Sequence, residues 1–337
     1  MTPRRKILPL FIPHAGCPHN CVFCSQRRIS GHLAPVTAAE VAAALAAMPF
    51  GVDELAFYGG SFTALPVQQQ RELLDAVQPW LQNGLVGSIR VSTRPDAVDA
   101  GVLSLLKSRG VSAVELGAQS MDDAVLAACG RGHSAADTVR AARLVREGGF
   151  RLGLQMMTGL PGSSEALDLM TGERLAALLP DGVRIYPTVV LEGTELCAMW
   201  RRGAYQAHTV EEAVSVCARL LPLFDAAGIP VIRLGLNPTE ALSAGAAVAG
   251  AYHPALGELV RSRVYLNRAR ALLQGSRPGD RIALGVCKSD ISQMVGQHRC
   301  NLAALRAEFQ PAELRVTEAA VKKGEITVTR ASCGVRR

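Results

Sequence analysis

Residues 7–25, ILPLFIPHAGCPHNCVFCS, place a strand-like apolar run directly before a loop that contains three cysteines. The spacing is C-x₃-C-x₂-C, formed by Cys17, Cys21 and Cys24. Three thiolates suit a soft metal centre, either zinc or an iron–sulfur cluster. A structural zinc site has four protein ligands, so it would need His14 or His19 as a further donor. A four-iron cluster held by three cysteines instead leaves one iron open to a small ligand.

The pairing of a β-like run with a following helical run recurs along residues 7–235. ELAFYGG precedes PVQQQRELLDAVQPWL, SAVELGAQS precedes MDDAVLAACGRG, and Thr37 is a suitable N-cap for AAEVAAALAAM. Six or seven such units predict an α/β fold whose parallel sheet curves into a (β/α)6-type partial TIM barrel. Ligands of such barrels bind at the C-terminal ends of the strands. The cysteine loop stands there, as do YGGS, STRPD, GAQS, GLPG and YPT, the last inside a predicted strand GVRIYPTVVL.

The alternation stops at an Ala- and Gly-rich segment, 237–259, for which we predict a linker between domains 1–236 and 260–337. The second domain is predicted to run strand, helix, turn GQHR, helix and strand pair. It carries 15 Lys and Arg against 6 Asp and Glu, a net charge of +9, whereas the other 259 residues carry −2. This asymmetry favours an acidic partner, with nucleic acid the first candidate; a solvated basic face is the alternative.

The composition is typical of a globular protein, with 49% hydrophobic and 19% charged residues among 337. No apolar run reaches the roughly 20 residues that a membrane span needs. The start of the chain lacks the apolar core and cleavage site of a signal peptide. We therefore expect a cytoplasmic protein with no membrane partner. In that reducing compartment we expect the nine cysteines to be free, and the six that stand singly to be small buried side chains.

The cysteine spacing, with Phe23 before the last cysteine, resembles the radical S-adenosylmethionine (SAM) superfamily. FYGGSFTAL resembles the glycine motif of that superfamily. VELGAQSMDDAVLAACGRGH and GLQMMTGLPG are similar to the elongator catalytic-subunit subfamily and its coproporphyrinogen-oxidase-like relatives, and STRPD and RIYPT resemble the elongator subunit. The resemblance covers roughly residues 7–235. It implies a radical SAM enzyme in which the three cysteines bind a 4Fe–4S cluster, and in which reductive cleavage of SAM yields a 5′-deoxyadenosyl radical.

The same resemblance implies a set of cofactor-binding residues. The loop that ends at Ser61 is expected beside the methionine amine, although the related motif often ends in Glu. Arg131 is the best candidate for the methionine carboxylate, because a guanidinium binds a carboxylate through two hydrogen bonds. The segment 159–162 is expected to wall the adenine. Structural roles as turns, strand-end caps or a surface salt bridge are the alternatives. The complete set is Phe23, Tyr58, Gly59, Gly60, Ser61, Ser92, Gln119, Arg131, Leu160 and Pro161.

Three further residues are candidates for the catalytic chemistry. Tyr186, at the end of the last strand, faces either the substrate or the core. Glu115 lies in a strand and either points into the barrel or anchors a loop. His253 is an acid–base candidate, since histidine titrates near neutral pH; a structural role at a helix start is the alternative.

The substrate is predicted from the C-terminal part of the chain. The elongator subunit modifies wobble uridine in tRNA and carries an acetyltransferase domain after its barrel. No segment of residues 237–337 resembles that domain, so an acetyl-CoA-dependent reaction is not expected. VCKSDISQMVGQHRCNLAALRAEFQPAELRV resembles the core of a KH domain, whose GxxG loop clamps a nucleic-acid backbone. Here the loop is Gly296–Arg299, with Arg at the position of the second glycine.

We therefore expect a tRNA-like RNA substrate bound through this basic domain, and a reductase, ferredoxin or flavodoxin as the electron donor. Three alternatives stay open. The same chemistry could act on a small porphyrin-like molecule or on a protein. The C-terminal unit could be a lid that closes the barrel. The whole chain could be a metal-stabilised RNA-binding protein without enzymatic activity.

Overall fold

The computed structural model describes residues 6–12, 15–25, 34, 36–238 and 242–331. They form two compact units, and we treat each by itself. The first unit is Met1–Thr209 with Leu223–Pro254, and the second is Val210–Pro222 with Ala255–Arg337. Within the described ranges, no helix combines the length and the apolar character needed to cross a membrane.

The first unit alternates strands with helices, as the sequence predicts. Its strands are β1 (Ile7–Phe11), β2 (Glu54–Tyr58), β3 (Ile89–Thr93), β4 (Val111–Gln119), β5 (Arg151–Thr158), β6 (Gly182–Pro187), β7 (Val189–Leu191), β8 (Val231–Leu234) and β9 (Ala247–Gly250). Its helices are α1 (Ala38–Ala46), α2 (Val67–Asp75), α3 (Gln78–Gln82), α4 (Ala100–Ser108), α5 (Asp123–Ala128), α6 (Ala135–Glu147), α7 (Glu165–Ala177) and α8 (Glu195–Arg201). Helix α9 (Val210–Ala226) contributes to both units.

Seven strands form one parallel sheet in the order β1-β2-β3-β4-β5-β6-β8. Because neighbouring strands are parallel, each connection must cross over the sheet, and the helices supply those crossovers. The predicted partial barrel is confirmed. Helix α1 begins as predicted at Thr37, whose side chain accepts a hydrogen bond from the Glu40 amide while the Glu40 carboxylate caps Thr37 in return.

Alternation along the strands separates two faces of the sheet. In β2, Leu55 and Phe57 are fully buried, and in β4 Val114 and Leu116 are too. The opposite face of these strands carries polar and charged side chains, such as Glu115. One face is thus an ordinary apolar core, and the other is a polar barrel interior.

The sequence prediction of one long strand, GVRIYPTVVL, is wrong. Strand β6 ends at Pro187, and both the amide and the hydroxyl of Thr188 donate to the Thr158 carbonyl, at 2.9 and 2.7 Å. The chain then leaves the seven-stranded sheet, and β7 pairs antiparallel with β9 instead. Strand β9 lies inside the segment for which the sequence predicts a linker. The domain boundaries at 236 and 260 stay a prediction.

The second unit is a small α/β assembly around helix α10 (Leu256–Leu273). It continues with β10 (Arg281–Val286), α11 (Ile291–Val295), α12 (Cys300–Phe309), β11 (Glu313–Glu318) and β12 (Ile326–Ala331). The sheet order is β11-β10-β12, with β10 parallel to β11 and antiparallel to β12. This order of elements is the predicted one, whereas the likeness to a KH domain stays a prediction.

Candidate functional site

Three cysteines follow β1 in a loop that we call the cysteine loop (residues 15–25). Within the described residues, Cys17, Cys21 and Cys24 form no disulfide bond. The Cys24 amide donates to the Cys21 carbonyl at 2.9 Å, which closes a tight turn. Val22 joins this turn to two other segments, because its amide donates to the Cys129 carbonyl at 3.1 Å and its carbonyl accepts from the Leu196 amide at 2.8 Å. The loop is therefore held by contacts from distant parts of the first unit.

All three cysteines line one cavity of about 620 Å³ in the first unit. Pockets of about 300–1,000 Å³ are typical of small-molecule sites. Its wall is formed largely by polar-face and C-terminal residues of the parallel strands, as expected for this architecture. The predicted site residues in the wall are Cys17, Cys21, Phe23, Cys24, Tyr58, Gly59, Gly60, Ser92, Glu115, Gln119, Arg131 and Tyr186.

Four predicted residues stand outside that wall: Ser61, Leu160, Pro161 and His253. Leu160 is buried behind it, in an apolar cluster with Val125 and Cys129 against which Phe23 packs. The segment 159–162 thus supports the cavity through Phe23. His253 precedes helix α10 and is half-buried. Its role in acid–base chemistry stays a prediction, as do the roles of the other three.

The loop Tyr58–Ser61, the glycine loop, is interlocked with the cysteine loop. A Cβ atom on Gly60 would stand 2.4 Å from the carbonyl oxygens of Ile12 and Ala15, so no other residue fits there. The Ser61 amide donates to Ala15 at 2.9 Å. The fully buried Ser61 hydroxyl lies 2.9 Å from Thr93 Oγ1 and accepts from the Arg94 amide at 3.2 Å. Ser61 therefore braces the loop from behind.

Ser92 differs from Ser61 in both position and bonding. It lines the cavity, and within the described residues its buried hydroxyl has no hydrogen-bond partner. A buried polar atom without a partner is costly, so it is expected to meet a ligand or a water. This unsatisfied hydroxyl is one feature that fits a polar cofactor in the cavity.

Arg131 brings a guanidinium to the cysteine loop. Its Nη1 donates to Cys21 Sγ at 3.2 Å, and its Nη2 donates to the Gly117 carbonyl at 2.6 Å. Gln119 lies two residues after Gly117 in β4. Its backbone is left-handed with φ of 65°, and its side-chain oxygen accepts a hydrogen bond from Gln155 Nε2 at 3.2 Å. This conformation falls at the irregularity where β4 shifts register against β5.

A chain of ion pairs crosses the barrel interior, and sequence reasoning missed nearly all of it. Arg151 pairs with Glu54 at 2.7 Å, Glu54 with Arg90 at 2.8 Å, and Glu115 with both Arg90 and Arg184 at 3.5 and 2.8 Å. We call Arg151, Glu54, Arg90, Glu115 and Arg184 the interior ion-pair chain. Burial alone would raise the pKa of Glu54, but the hydrogen bonds and charges of its two arginines hold that pKa below its ordinary value.

The interior ion-pair chain ends on the predicted residues of the cavity. Arg184 Nη2 donates to the Tyr58 hydroxyl at 2.9 Å, and its guanidinium lies 5.3 Å from the centre of the Tyr58 ring. Burial raises the pKa of both Tyr58 and Tyr186, so both phenols stay neutral. Glu115 is doubly paired rather than free, which favours a structural role over acid–base chemistry. Sequence motifs do not reveal the interior ion-pair chain, because its five residues come from five different strands.

The loop 159–162 is held from behind by a second buried carboxylate. Asp168 accepts from the Gly159 amide at 2.9 Å and from the Ser163 hydroxyl at 2.6 Å. Burial raises the pKa of Asp168 to about 6, even though these hydrogen bonds act in the opposite direction. Tyr205 completes the support, since its hydroxyl donates to the Gly159 carbonyl at 2.7 Å.

Three thiols form a donor set that suits an iron–sulfur cluster, because thiolates hold such clusters. Among the described residues, which leave out His14, no group of three or more His, Cys, Asp or Glu is arranged to hold one metal ion. His19 also lines the cavity, and its ring packs against Gly132, where a Cβ would come within 2.3 Å of Nε2.

Comparison with known families identifies this arrangement. The model of the Radical SAM superfamily matches residues 11–170, and the model of the Radical_SAM C-terminal domain matches residues 180–265. The chain belongs to the radical SAM superfamily. The first match contains the cysteine loop, the glycine loop and Arg131. Members of this superfamily of enzymes use a 4Fe–4S cluster and SAM, which is the chemistry that the donor set of this radical SAM protein fits.

Curated relatives of this radical SAM protein include a tRNA uridine(34) acetyltransferase and an Elongator complex protein. It is 33% identical over 183 residues to the tRNA uridine(34) acetyltransferase of Methanocaldococcus infernus, covering 48% of this chain and 34% of the relative. It is 29% identical over 194 residues to human Elongator complex protein 3, covering 51% of this chain and 36% of the relative. The chain thus spans about a third of the length of these relatives.

Solved structures agree on the fold. The archaeal Elp3 of Methanocaldococcus infernus, lacking its first 46 residues, superposes with a TM-score of 0.61 at 24% identity, covering 82% of this chain and 66% of that one. Coproporphyrinogen III oxidase of Escherichia coli gives a TM-score of 0.52 at 19% identity, covering 67% of this chain and 54% of that one. Both likenesses concern the fold alone.

Proposed function

We propose that the cysteine loop holds a 4Fe–4S cluster and that the adjoining cavity binds SAM. The observation that carries the proposal is that one cavity gathers the three thiols, the glycine loop and the unsatisfied Ser92 hydroxyl. When bound, the cluster and SAM supply a 5′-deoxyadenosyl radical, which can abstract hydrogen from an unactivated C–H bond. The cysteines would hold the cluster, and Ser92 and the glycine loop would orient the cofactor.

The residues around the cavity would protect such a reaction. Phe23 packs against Leu160, so the apolar side chains on that side help to exclude water. On the other side, Arg184 and Glu115 pair with each other, and Tyr58 is held neutral. The neutral Tyr58 phenol and the paired charges of Arg184 and Glu115 would position ligands in the cavity.

The direct test is anaerobic reconstitution with iron and sulfide, followed by dithionite and SAM. We expect labile sulfide in the protein and 5′-deoxyadenosine as a product. A Cys300→Ser variant is the matched control, because Cys300 is an exposed thiol in the second unit and should leave both readouts unchanged. Zinc without labile sulfide in the purified protein would instead return the non-enzymatic alternative.

We further propose that the substrate is RNA of the tRNA type, bound through the second unit. Three observations support this. The curated relatives are named for tRNA uridine modification. Residues 260–337 carry a net charge of +9. The cations Lys288 and Arg299 are exposed on either side of α11. An RNA substrate also agrees with the cytoplasmic location that the sequence predicts, and a reductase, ferredoxin or flavodoxin would supply the electron.

The Gly296–Arg299 loop has backbone geometry that suits this proposal. Gly296 and Arg299 both have positive φ, at 78° and 62°. Arg299 therefore adopts the left-handed conformation that a glycine takes without steric cost, at the position where a GxxG loop has its second glycine. The side chain that replaces the glycine is a cation, which can bind a phosphate.

The RNA proposal is tested by mobility shifts with transfer RNA over a series of salt concentrations. We expect affinity to fall steeply with salt, and Arg299→Gln to weaken binding and to reduce the salt slope by about one. Arg202→Gln is the matched control, since Arg202 is an exposed arginine of the first unit that pairs with Glu195. Absence of binding even at low salt would contradict the proposal.

A small anionic molecule is the second candidate substrate. The interior ion-pair chain favours it, because three arginines face only two glutamates there and Arg184 lines the cavity. The two candidates separate in one assay. Formation of 5′-deoxyadenosine that rises on addition of transfer RNA supports RNA, whereas formation that responds only to a small-molecule extract supports the second candidate.

A further inference from the structure

Arg131 is a buried cation whose hydrogen-bond acceptors include no carboxylate. Its side chain belongs to a residue that is 7% exposed, and Nη1 and Nη2 donate to the Cys21 thiol and to the Gly117 carbonyl. The described residues include no Asp or Glu in an ion pair with it, and Nε has no hydrogen-bond partner. A buried charge is expensive unless an opposite charge compensates it. Of the two acceptors of its side-chain hydrogen bonds, only Cys21 can become an anion.

The surrounding chain fixes the guanidinium at this position. A Cβ on Gly117 would stand 3.4 Å from Arg131 Nη2 and 2.9 Å from Gln119 Nε2, so Gly117 leaves the room that the guanidinium occupies. Arg94, itself 3% exposed, donates from Nη2 to the Arg131 backbone carbonyl. Contacts from β4 and from the segment after β3 therefore hold Arg131 against the cysteine loop.

The second buried guanidinium beside the cysteine loop is satisfied differently. Arg94 forms two hydrogen bonds with the Asp96 carboxylate, at 3.0 and 3.1 Å. Its charge is therefore compensated by a neighbour in the chain. Arg131 lacks such a neighbour among the described residues, and this contrast assigns the compensating role to the thiolate.

We propose that Arg131 is the counter-charge of the Cys21 thiolate, and that its N–H···S hydrogen bond raises the reduction potential of a cluster held by Cys21. The inference rests on the proposed function, since it requires that a cluster is bound. Reduction adds one negative charge to the cluster, and a cation with a hydrogen bond to a ligand sulfur stabilises that charge. Arg131 thereby acts through Cys21 as a positioning and tuning residue.

This role differs from the one that the family resemblance implies. There, Arg131 would bind the methionine carboxylate of SAM and would matter only when SAM is present. Here, its effect exists in the protein that holds the cluster alone. The reduction potential measured without SAM therefore separates the two roles.

The experiment is a redox titration of reconstituted protein without SAM, followed by electron paramagnetic resonance of the reduced cluster. The variants are Arg131→Gln, which keeps a hydrogen-bond donor but no charge, and Arg131→Lys, which keeps the charge. At the potential where half of the wild-type clusters are reduced, we expect a clear minority to be reduced in Arg131→Gln and an intermediate fraction in Arg131→Lys. Arg202→Gln, an exposed arginine far along the chain, is the control and should match the wild type.

An unchanged midpoint in Arg131→Gln at full iron and sulfide content would overturn the inference. If SAM binding is weakened in the same variant, Arg131 acts on the methionine carboxylate instead. Failure of the wild-type protein to bind a cluster at all would instead overturn the proposed function.

A measurement on the unmutated chain covers the case in which Arg131→Gln does not fold. Protein labelled with ¹⁵N-arginine is reduced, and pulsed paramagnetic resonance detects arginine nitrogens coupled to the cluster. We expect a coupled nitrogen that disappears in Arg131→Lys and persists in Arg202→Gln. Absence of any coupled arginine nitrogen in the wild type would contradict the N–H···S contact.

Discussion

The cysteine loop and the interior ion-pair chain are adjoining parts of one cavity region, yet they are encoded in opposite ways. The three thiols lie within eight consecutive positions, so their spacing is itself a signal. The five charged residues of the interior come from strands β2 to β6 and are up to 97 positions apart in a pair. Only the parallel register of the sheet brings them together. A site whose residues lie close together in the sequence can therefore be predicted from it, whereas a site assembled from several strands of a sheet cannot.

The largest effect is expected at the cysteine loop. Replacing any one of Cys17, Cys21 or Cys24 by Ala should abolish stable cluster binding, because the cluster would lose one of its protein ligands. Iron and labile sulfide per chain after anaerobic reconstitution measure this. Cys300→Ala, at an exposed cysteine, should bind a full complement. A cluster of normal content in any of the three variants would show that the loop is not the ligand set.

A substitution in the interior ion-pair chain should lower the free energy of unfolding rather than the amount of cluster bound. Glu54 is fully buried between Arg90 and Arg151, so Glu54→Gln leaves Arg151 without its carboxylate and Arg90 with only the longer pair to Glu115. We expect the free energy of unfolding in urea to fall by about 3–5 kcal/mol, the usual cost of breaking a buried pair from one side. Glu195→Gln, in an exposed pair with Arg202, is the control and should change little. Equal effects in the two variants would refute the distinction between them.

The pH dependence of stability should separate the two buried carboxylates. The pKa of Asp168 is raised from 3.8 to about 6 by burial. Between these values the folded protein holds a proton that the unfolded chain has released. The contribution of this group to the free energy of unfolding therefore falls as pH rises from about 4 to 6, by up to about 1.4 kcal/mol per pH unit.

The Asp168→Asn variant isolates this contribution. Asparagine can still accept from the Gly159 amide, and its own amide can donate to Ser163, so the loop is kept. Unfolding in urea at about pH 4, 5 and 6 should show the wild type losing stability relative to the variant as pH rises. Glu54, whose pKa is lowered, contributes with the opposite sign: its stabilisation is present above its unfolded pKa and is lost in acid. A flat difference between Asp168→Asn and wild type would contradict the shifted pKa.

The smallest effects are expected from Ser61 and Ser92, whose hydroxyls differ in position and in hydrogen bonding. Ser61→Ala removes the bond to Thr93 and leaves the Arg94 amide without an acceptor, so we expect a loss of about 1 kcal/mol of stability with SAM affinity unchanged. Ser92→Ala removes an unsatisfied hydroxyl from the cavity wall, so we expect weaker SAM binding with stability unchanged. Equilibrium dialysis with SAM and urea unfolding measure the two readouts. Weaker SAM binding in Ser61→Ala would place its hydroxyl in the cavity after all.

Much of the fold is predictable from the sequence because each β/α unit has a recognisable pattern within a short window of residues. The strand-helix alternation, the cap at Thr37 and the order of elements in the second unit all follow from short windows. The end of β6 at Pro187 does not, since β7 pairs instead with β9, which lies far along the chain. The cavity wall is partly predictable: the thiols, Tyr58 and Arg131 lie in recognisable motifs. Arg90 and Arg184 do not, because an arginine inside a strand has no local mark of burial.

The interlocking of the glycine loop with the cysteine loop has a consequence for engineering and for evolution. A Cβ on Gly60 would stand 2.4 Å from the carbonyl oxygens of Ile12 and Ala15, and a Cβ on Gly16 would stand 2.2 Å from the Ser61 carbonyl oxygen. Neither segment keeps its shape when the other is replaced. Transferring this centre into another barrel would require moving the cysteine loop and the glycine loop together. An ancestor that acquired the thiols without the paired glycines would have had no working precursor to refine.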